Sequence, residues 1–230
     1  MRKLLISSIA FAALLSSSFA FAQTLPQLLE SPNYLQLSYN LSHTNLSPEA
    51  IKMAFAGYHW AIKKHKVKKR DILTIIDFSL SSAMDRLYVI NVKTGAVLMS
   101  APVTHGLHSG ANSPWAKNFS NSPNSLESSL GVYITENNPY TGQFGYSLRI
   151  AGLESSNSNA EARAIIVHSA NYASRSFLKY NGFLGNSYGC FAVDPALVHQ
   201  LIAYIEGGSV LYAYANSKQY LTSTHILTAV

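Results

Sequence analysis

Between residues 47 and 65 the apolar positions recur every three or four residues. Ile51, Phe55, Tyr58 and Ile62 in SPEAIKMAFAGYHWAIKKH fall on one face of a helix. Ser47 supplies the N-cap, and Pro48 suits the first helical position, where no amide hydrogen is needed. After this helix the period changes. DILTIIDFSL and RLYVINV are short, rich in β-formers and separated by the small polar stretch SSAMD. NVKTGAVLM reads as a hairpin with Lys93, Thr94 and Gly95 at the turn. LGVYITE and GYSLRIAGL are further strands around a turn at NNPYTG, and RAIIVH is a buried strand that ends at His168. DPALVHQLIAYIEGG predicts a second helix, capped by Asp194, opened by Pro195 and closed by Gly207. Its Leu197, Leu201, Ile202 and Ile205 face the core, and SVLYAYA follows as a last strand. No internal repeat is present. The pattern predicts a mainly β architecture with flanking helices.

The ends and the charge add a location. Arg2 and Lys3 precede an apolar run from Leu4 to Leu15, and SSSFAFAQ then places Ala20 and Ala22 in the A-x-A relation before Gln23. A run of about 12 residues is too short for a membrane span, which needs roughly 20. Residues 1–22 are therefore expected to be a cleaved signal peptide, 23–45 an N-terminal segment and 46–230 a single domain, exported to the periplasm or secreted without a membrane span. The formal charge is +6, and loss of Arg2 and Lys3 brings the mature chain to about +4. Six basic residues sit together in KKHKVKKR, residues 63–70. Two readings stand: a solvated helix end whose cations suit the helix dipole, or a contact for an acidic wall polymer. Nucleic acid is set aside, since an exported protein seldom meets it. From His105 to Leu126 the chain has neither period, and a loop of that length is usually functional or disordered. Trp115 and Phe119 within it argue against full disorder.

GNSYGCFAVDP holds the sole cysteine, Cys190. An unpaired thiol in an oxidising compartment is a liability unless it is buried or used. It is either a small buried hydrophobe or a nucleophile. Cys190 precedes the predicted second helix, whose N-terminus favours a thiolate. Gly189 lets another chain approach closely, and its N–H with that of Cys190 could form an oxyanion hole. Of eight histidines, His43 and His225 lie in polar terminal segments, and His59, His65 and His199 fall on helices. His105 and His108 lack a third ligand for a metal. His168 differs, because it ends an apolar strand 22 residues before Cys190. That spacing fits an excursion that returns to the same place.

HSANY…GFLGNSYGCFAV resembles the signature of the L,D-transpeptidase (YkuD-like) catalytic domain, a His followed after an insert by S-x-G-C, here His168, Ser187, Gly189 and Cys190. ILTIIDFSL, RLYVINVKTG, HGLHSG, FSNSPNSLESSLGVY, GYSLRIAGLE and GGSVLYAY are similar, in order, to the murein L,D-transpeptidase catalytic-domain branch. The likeness runs from about Leu46 to Ala215 and implies that fold. It also implies an exported cysteine acyltransferase of peptidoglycan. Cys190 would form a thioester with a stem peptide, and His168 would act as base and then acid with its ring oriented by the Ser169 carbonyl. An amine from a second stem would resolve the thioester. Water as acceptor would make the protein an L,D-carboxypeptidase, and loss of turnover would leave a silent wall-binding module. No metal or organic cofactor is implied, and a carbapenem would mimic the donor. Hydroxyls and glycines of HGLHSG (His105, Gly106, Ser109) and SLESSLG (Ser128, Ser129), together with Tyr146, Ser187 and Tyr188, are expected to line the donor groove. The chain departs from commoner members at Tyr188 and Ala192, where His and Arg or Asn are usual, and from the murein branch at Phe191, where Pro is usual.

Overall fold

In the computed structural model, residues 24–227 are described; the expected signal peptide, residues 1–22, lies outside the described residues. Three helices lead the described chain: α1 (Leu25–Leu29), α2 (Pro32–Leu41) and α3 (Pro48–Lys63). α2 and α3 begin alike. Each has a serine N-cap whose Oγ accepts from an amide three residues on, Ser31 from Tyr34 at 3.3 Å and Ser47 from Ala50 at 3.2 Å, with proline next in line. α3 buries more than the single stripe its spacing predicts: Met53, Ala54 and Ala61 are covered as well as Ile51, Phe55 and Tyr58. The reason lies in residues 25–41, for which the sequence reading assigned no elements. α1 and α2 cover one side of α3, through the buried Leu28, Leu37 and Leu41, while the sheet covers the other.

The strands are β1 (Ile72–Asp77), β2 (Leu87–Asn91), β3 (Ala96–Ala101), β4 (Gly131–Thr135), β5 (Tyr140–Gly142), β6 (Gly145–Gly152), β7 (Ile166–Ser169), β8 (Phe191–Val193) and β9 (Val210–Tyr214). They lie in the order β3-β2-β1-β9-β4-β6-β7-β8, with β5 on β6. β1 with β9 and β7 with β8 are parallel; the other pairs are antiparallel. The β2–β3 turn is set by Asn91, whose Oδ1 accepts from the amides of Lys93 and Thr94, and by Gly95 at φ +70°. The chain leaving β3 returns to the free edge of β8. Thr104 N donates to Ala192 O at 3.0 Å, and Gly106 bridges Ser187. The sheet thereby approaches barrel closure and hides an edge that would otherwise be unpaired. The fold is mainly β with flanking helices, which include α4 (Arg175–Asn181), α5 (Val198–Ile205) and α6 (Lys218–Ser223).

Two sequence expectations change. The second predicted helix, α5, starts at Val198 and not beside Asp194. Asp194 instead builds a turn: its Oδ1 accepts from Ala196 N, its carbonyl from Leu197 N, and its Oδ2 from Arg175 N of α4. With β8 in between, the helix N-terminus begins eight residues after Cys190 and does not back the thiol. The basic run is also not simply a helix end. α3 stops at Lys63, and the chain beyond is hitched to the start of β9 by Lys68 N and Lys69 N, both donating to Gly208 O. Lys64, Lys66 and Lys68 are exposed, while Val67 between them is buried.

Candidate active site

In the parallel pair β7–β8, Val167 lies opposite Phe191 and His168 opposite Ala192. Extending this register by one residue sets Cys190 opposite Ile166. Side chains alternate along a strand, so Cys190 and His168 share a face. Both line a cavity of about 280 Å³, together with Phe144, Tyr172, Asn186 and Tyr188.

His168 is 2% exposed and packs on the Phe144 ring at 5.1 Å. Its Nδ1 lies 2.8 Å from the Ser169 carbonyl. A carbonyl only accepts, so Nδ1 carries the hydrogen and Nε2 of the neutral ring keeps a lone pair. Burial pushes the His168 pKa below its ordinary value, and the Ser169 bond pulls it partly back. Cys190 is half-buried, and its Sγ lies 3.6 Å from Ala164 O, a weak thiol donation. Burial raises the thiol; the Ile166 main chain and the Arg163 guanidinium act the other way. Both shifts favour the uncharged forms, a neutral imidazole and a thiol.

The turn before Cys190 is fixed by one hydroxyl. Ser187 Oγ accepts from Gly189 N at 3.2 Å and donates to Cys190 O at 2.7 Å. The Gly189 N–H is therefore engaged and not open to an oxyanion, whereas the Cys190 N–H meets no acceptor among the described residues. Gly189 has φ +113°, and a Cβ there would lie 2.7 Å from Glu127 O and 3.2 Å from Arg163 Nη2. Only glycine fits.

Most residues expected along the groove lie elsewhere. His105 is wholly buried. Its Nδ1 accepts from Arg86 Nη2 at 2.9 Å, and its Nε2 donates to Gly110 O at 3.3 Å. Ser109, Ser128 and Ser129 are buried too. Ser109 Oγ accepts from Ser128 N, Ser128 Oγ accepts from Gly106 N, and Ser129 Oγ meets Tyr133 Oη. These hydroxyls stitch two loops together because irregular backbone under cover must still pair its amides. Gly106 contributes backbone: its bridge to Ser187 abuts the Cys190 turn, and its own Cβ would strike Leu126 O. Tyr146 stacks on His199 of α5 at 4.2 Å. Its neighbour Ser147 is the residue opposite His168, so alternation turns Tyr146 to the other face. Ser187 and Tyr188 do reach the cavity, Tyr188 with 69% exposure.

The sequence reading missed Phe144, Tyr172 and Asn186, which loops bring in from separate segments, and Arg163. Arg163 stands at the head of RAIIVH, which the pattern reads as strand, although β7 starts only at Ile166. A cation opening an apolar run is the signal that was available. Among the described residues no three His, Cys, Asp or Glu side chains gather as a metal would require, and no helix is long and apolar enough to cross a membrane.

A mainly β sheet that brings one cysteine and one histidine to a shared cavity narrows the class. Residues 42–214 match the L,D-transpeptidase catalytic domain, and the chain belongs to that family. Solved structures similar to it include an L,D-transpeptidase from Mycobacterium smegmatis (14% identity, 63% of this chain and 59% of that one, TM-score 0.38). An LD transpeptidase in complex with imipenem aligns with 15% identity over the same shares and TM-score 0.38. Mycobacterium tuberculosis L,D-transpeptidase 1 aligns with 13% identity over 63% and 62%, TM-score 0.35. The chain spans about three fifths of the length of these relatives. No curated protein matches it.

Proposed function

We propose that the protein is an exported L,D-transpeptidase acting on peptidoglycan stem peptides, with Cys190 as nucleophile and His168 as general base. The observation that carries this reading is the cavity that Cys190 lines together with a histidine whose Nδ1 is tied to Ser169 O, leaving Nε2 as the basic atom. Nε2 takes the thiol proton, and sulfur attacks the carbonyl before the terminal D-residue of the donor stem. The Cys190 N–H is the donor left open for the developing oxyanion. As the tetrahedral adduct collapses, the imidazolium returns its proton to the departing amine, and a thioester remains. An acceptor amine then attacks the thioester and passes a proton to Nε2; collapse restores the thiol and leaves a new amide. Ser187, Gly189 and Gly106 hold the turn, while Tyr188 and the rings of Phe144 and Tyr172 shape the cavity. The exposed lysines of residues 64–68 support a further contact with acidic wall polymers, and the basic-apolar start of the chain supports export to the periplasm or beyond.

Intact mass spectrometry tests the assignment. Incubation with a carbapenem or a stem tetrapeptide is expected to add one covalent acyl group, absent in Cys190→Ala. Adding an amine acceptor should release a cross-linked product; release of free acid alone would make the enzyme a carboxypeptidase. Absence of any adduct on folded protein, or its persistence in Cys190→Ala, would sink the reading.

A further inference from the structure

Arg163 is bound at four points, none of them a carboxylate. Its Nη1 donates to Ser120 O at 2.7 Å and Ser129 Oγ at 3.4 Å; its Nη2 donates to Ser125 Oγ at 3.2 Å and Glu127 O at 2.5 Å. It forms no ion pair among the described residues. Five N–H groups belong to a guanidinium, so the Nε–H remains unspent. The same Nη2 stands 3.2 Å from the place a Cβ on Gly189 would take. The cation is thus pinned against the residue that precedes Cys190.

We propose that Arg163 is a positioning residue for Cys190, clasping the loop of residues 120–129 against Gly189 and supplying the site's permanent positive charge. The assignment rests on the reading of Cys190 as the reactive thiol. The other ionisable groups around the thiol come from every element packed there: His168 from β7, Tyr172 from the turn after it, Tyr188 from the Cys190 turn itself, and Glu127 across from Arg163. None of these is a fixed cation. A guanidinium stays charged at any working pH. A cation beside a thiol favours the thiolate and offsets the cost of burying it. Held by two carbonyls and two hydroxyls, the Arg163 charge cannot swing away to solvent. The arrangement also explains why α5 is not needed behind the thiol: a side chain from the segment before β7 does electrostatically what the distant helix N-terminus cannot.

The test measures alkylation of Cys190 by iodoacetamide across pH on folded full-length mature protein, an assay that needs no peptidoglycan. Arg163→Gln and Arg163→Met are two neutral replacements of different shape, so a folded one is available, with folding checked by near-UV circular dichroism. Both should move the alkylation midpoint up by about one pH unit, a tenfold fall in rate near pH 7. Arg163→Lys should keep the midpoint while lowering the melting temperature, because it keeps charge and loses the forked contacts. A merely structural clasp would change melting alone. An unmoved midpoint in the folded neutral variant, or a Lys variant displaced as far as the Gln variant, overturns the proposal. Failure of acyl transfer in wild type, with these shifts intact, would instead count against the proposed function.

Discussion

His105, sealed between a guanidinium and a carbonyl, carries a pH dependence of its own. Burial and the nearby Arg86 cation hold its pKa down to about 4, against about 6.5 in an unfolded chain. Between those values the unfolded chain binds a proton that the folded chain refuses. Stability is therefore fully present above pH 6.5 and falls as pH drops toward 4. His168, also lowered, adds in the same sense. Urea midpoints at pH 7.5 and 4.5 should show this fall in the wild type and a smaller one in His105→Asn; equal falls would assign the dependence to other groups. On the proposed mechanism, His168→Ala is expected to slow carbapenem acylation by roughly 10²–10⁴, the usual contribution of a placed base. With His168 as the proposed base, the neutral ring is the active form, and since burial lowers its pKa the acid limb of the wild-type profile should lie below the ordinary histidine range. Gly189→Ala is expected to be inactive even if it folds, since both its φ and its contact with Glu127 O exclude a methyl group. Stopped-flow acylation by a carbapenem checks all three.

Caps and registers matter at the next scale. Ser47 does more than cap α3: its N and Oγ also donate to Asp77 Oδ2 at 3.0 and 2.8 Å, tying the helix start to the end of β1. Ser47→Ala should cost about 1 kcal/mol from the cap alone, read as a shift in the urea midpoint without a change in slope. The cap, the β2–β3 turn and the strands around His168 were legible because each is a local rule expressed in adjacent residues. The start of α5 was not. Asp-Pro looks like an N-cap and first residue, but Asp194 also receives Arg175 N from α4, a tertiary contact that no local pattern contains. The internal bonding of the hydroxyls of HGLHSG and SLESSLG was not legible for a related reason. Serine serves equally as ligand contact and as internal staple, and only the packing of two loops decides between them. That Cys190 and His168 share a cavity was legible through the family signature His…S-x-G-C, beyond what one thiol and a strand-ending histidine carry alone, whereas Arg163 stands outside any motif.

Across the whole molecule, strand direction relates the basic segment to the cavity. β1 and β9 begin, and β4 ends, beside residues 64–70; β7, which runs parallel to β4 with β6 between them, delivers His168 to that same end of the sheet. An acidic polymer drawn to Lys64, Lys66 and Lys68 would arrive at the end of the sheet toward which β7 carries His168, whereas Cys190, at the start of the parallel strand β8, lies toward the other end. Replacing Lys63, Lys64, Lys66 and Lys68 with Gln should weaken binding to isolated sacculi at low salt, and the difference should fade near 0.1 M, where the screening length is about 10 Å. Acylation by small soluble donors should hardly change. Equal sacculus binding at low salt would return these lysines to simple solvation.

The stitched loops have a consequence for motion. Loops usually exchange their amide hydrogens fast because their bonds open without disturbing a core. Here the amides of Gly106, Ser128 and Ser187 are each spent inside a buried cross-link between loops. His105, whose carbonyl takes the Ser187 amide, is itself buried and bonded to the buried Arg86. In deuterated solvent these three amides should therefore persist with those of the central strands β1 and β9, while those of the exposed Ala111 and Asn112 exchange at once. The floor of the site would then be a stiff anvil, with Tyr188 and the β5–β6 hairpin bearing Phe144 as the parts left to yield when a donor enters.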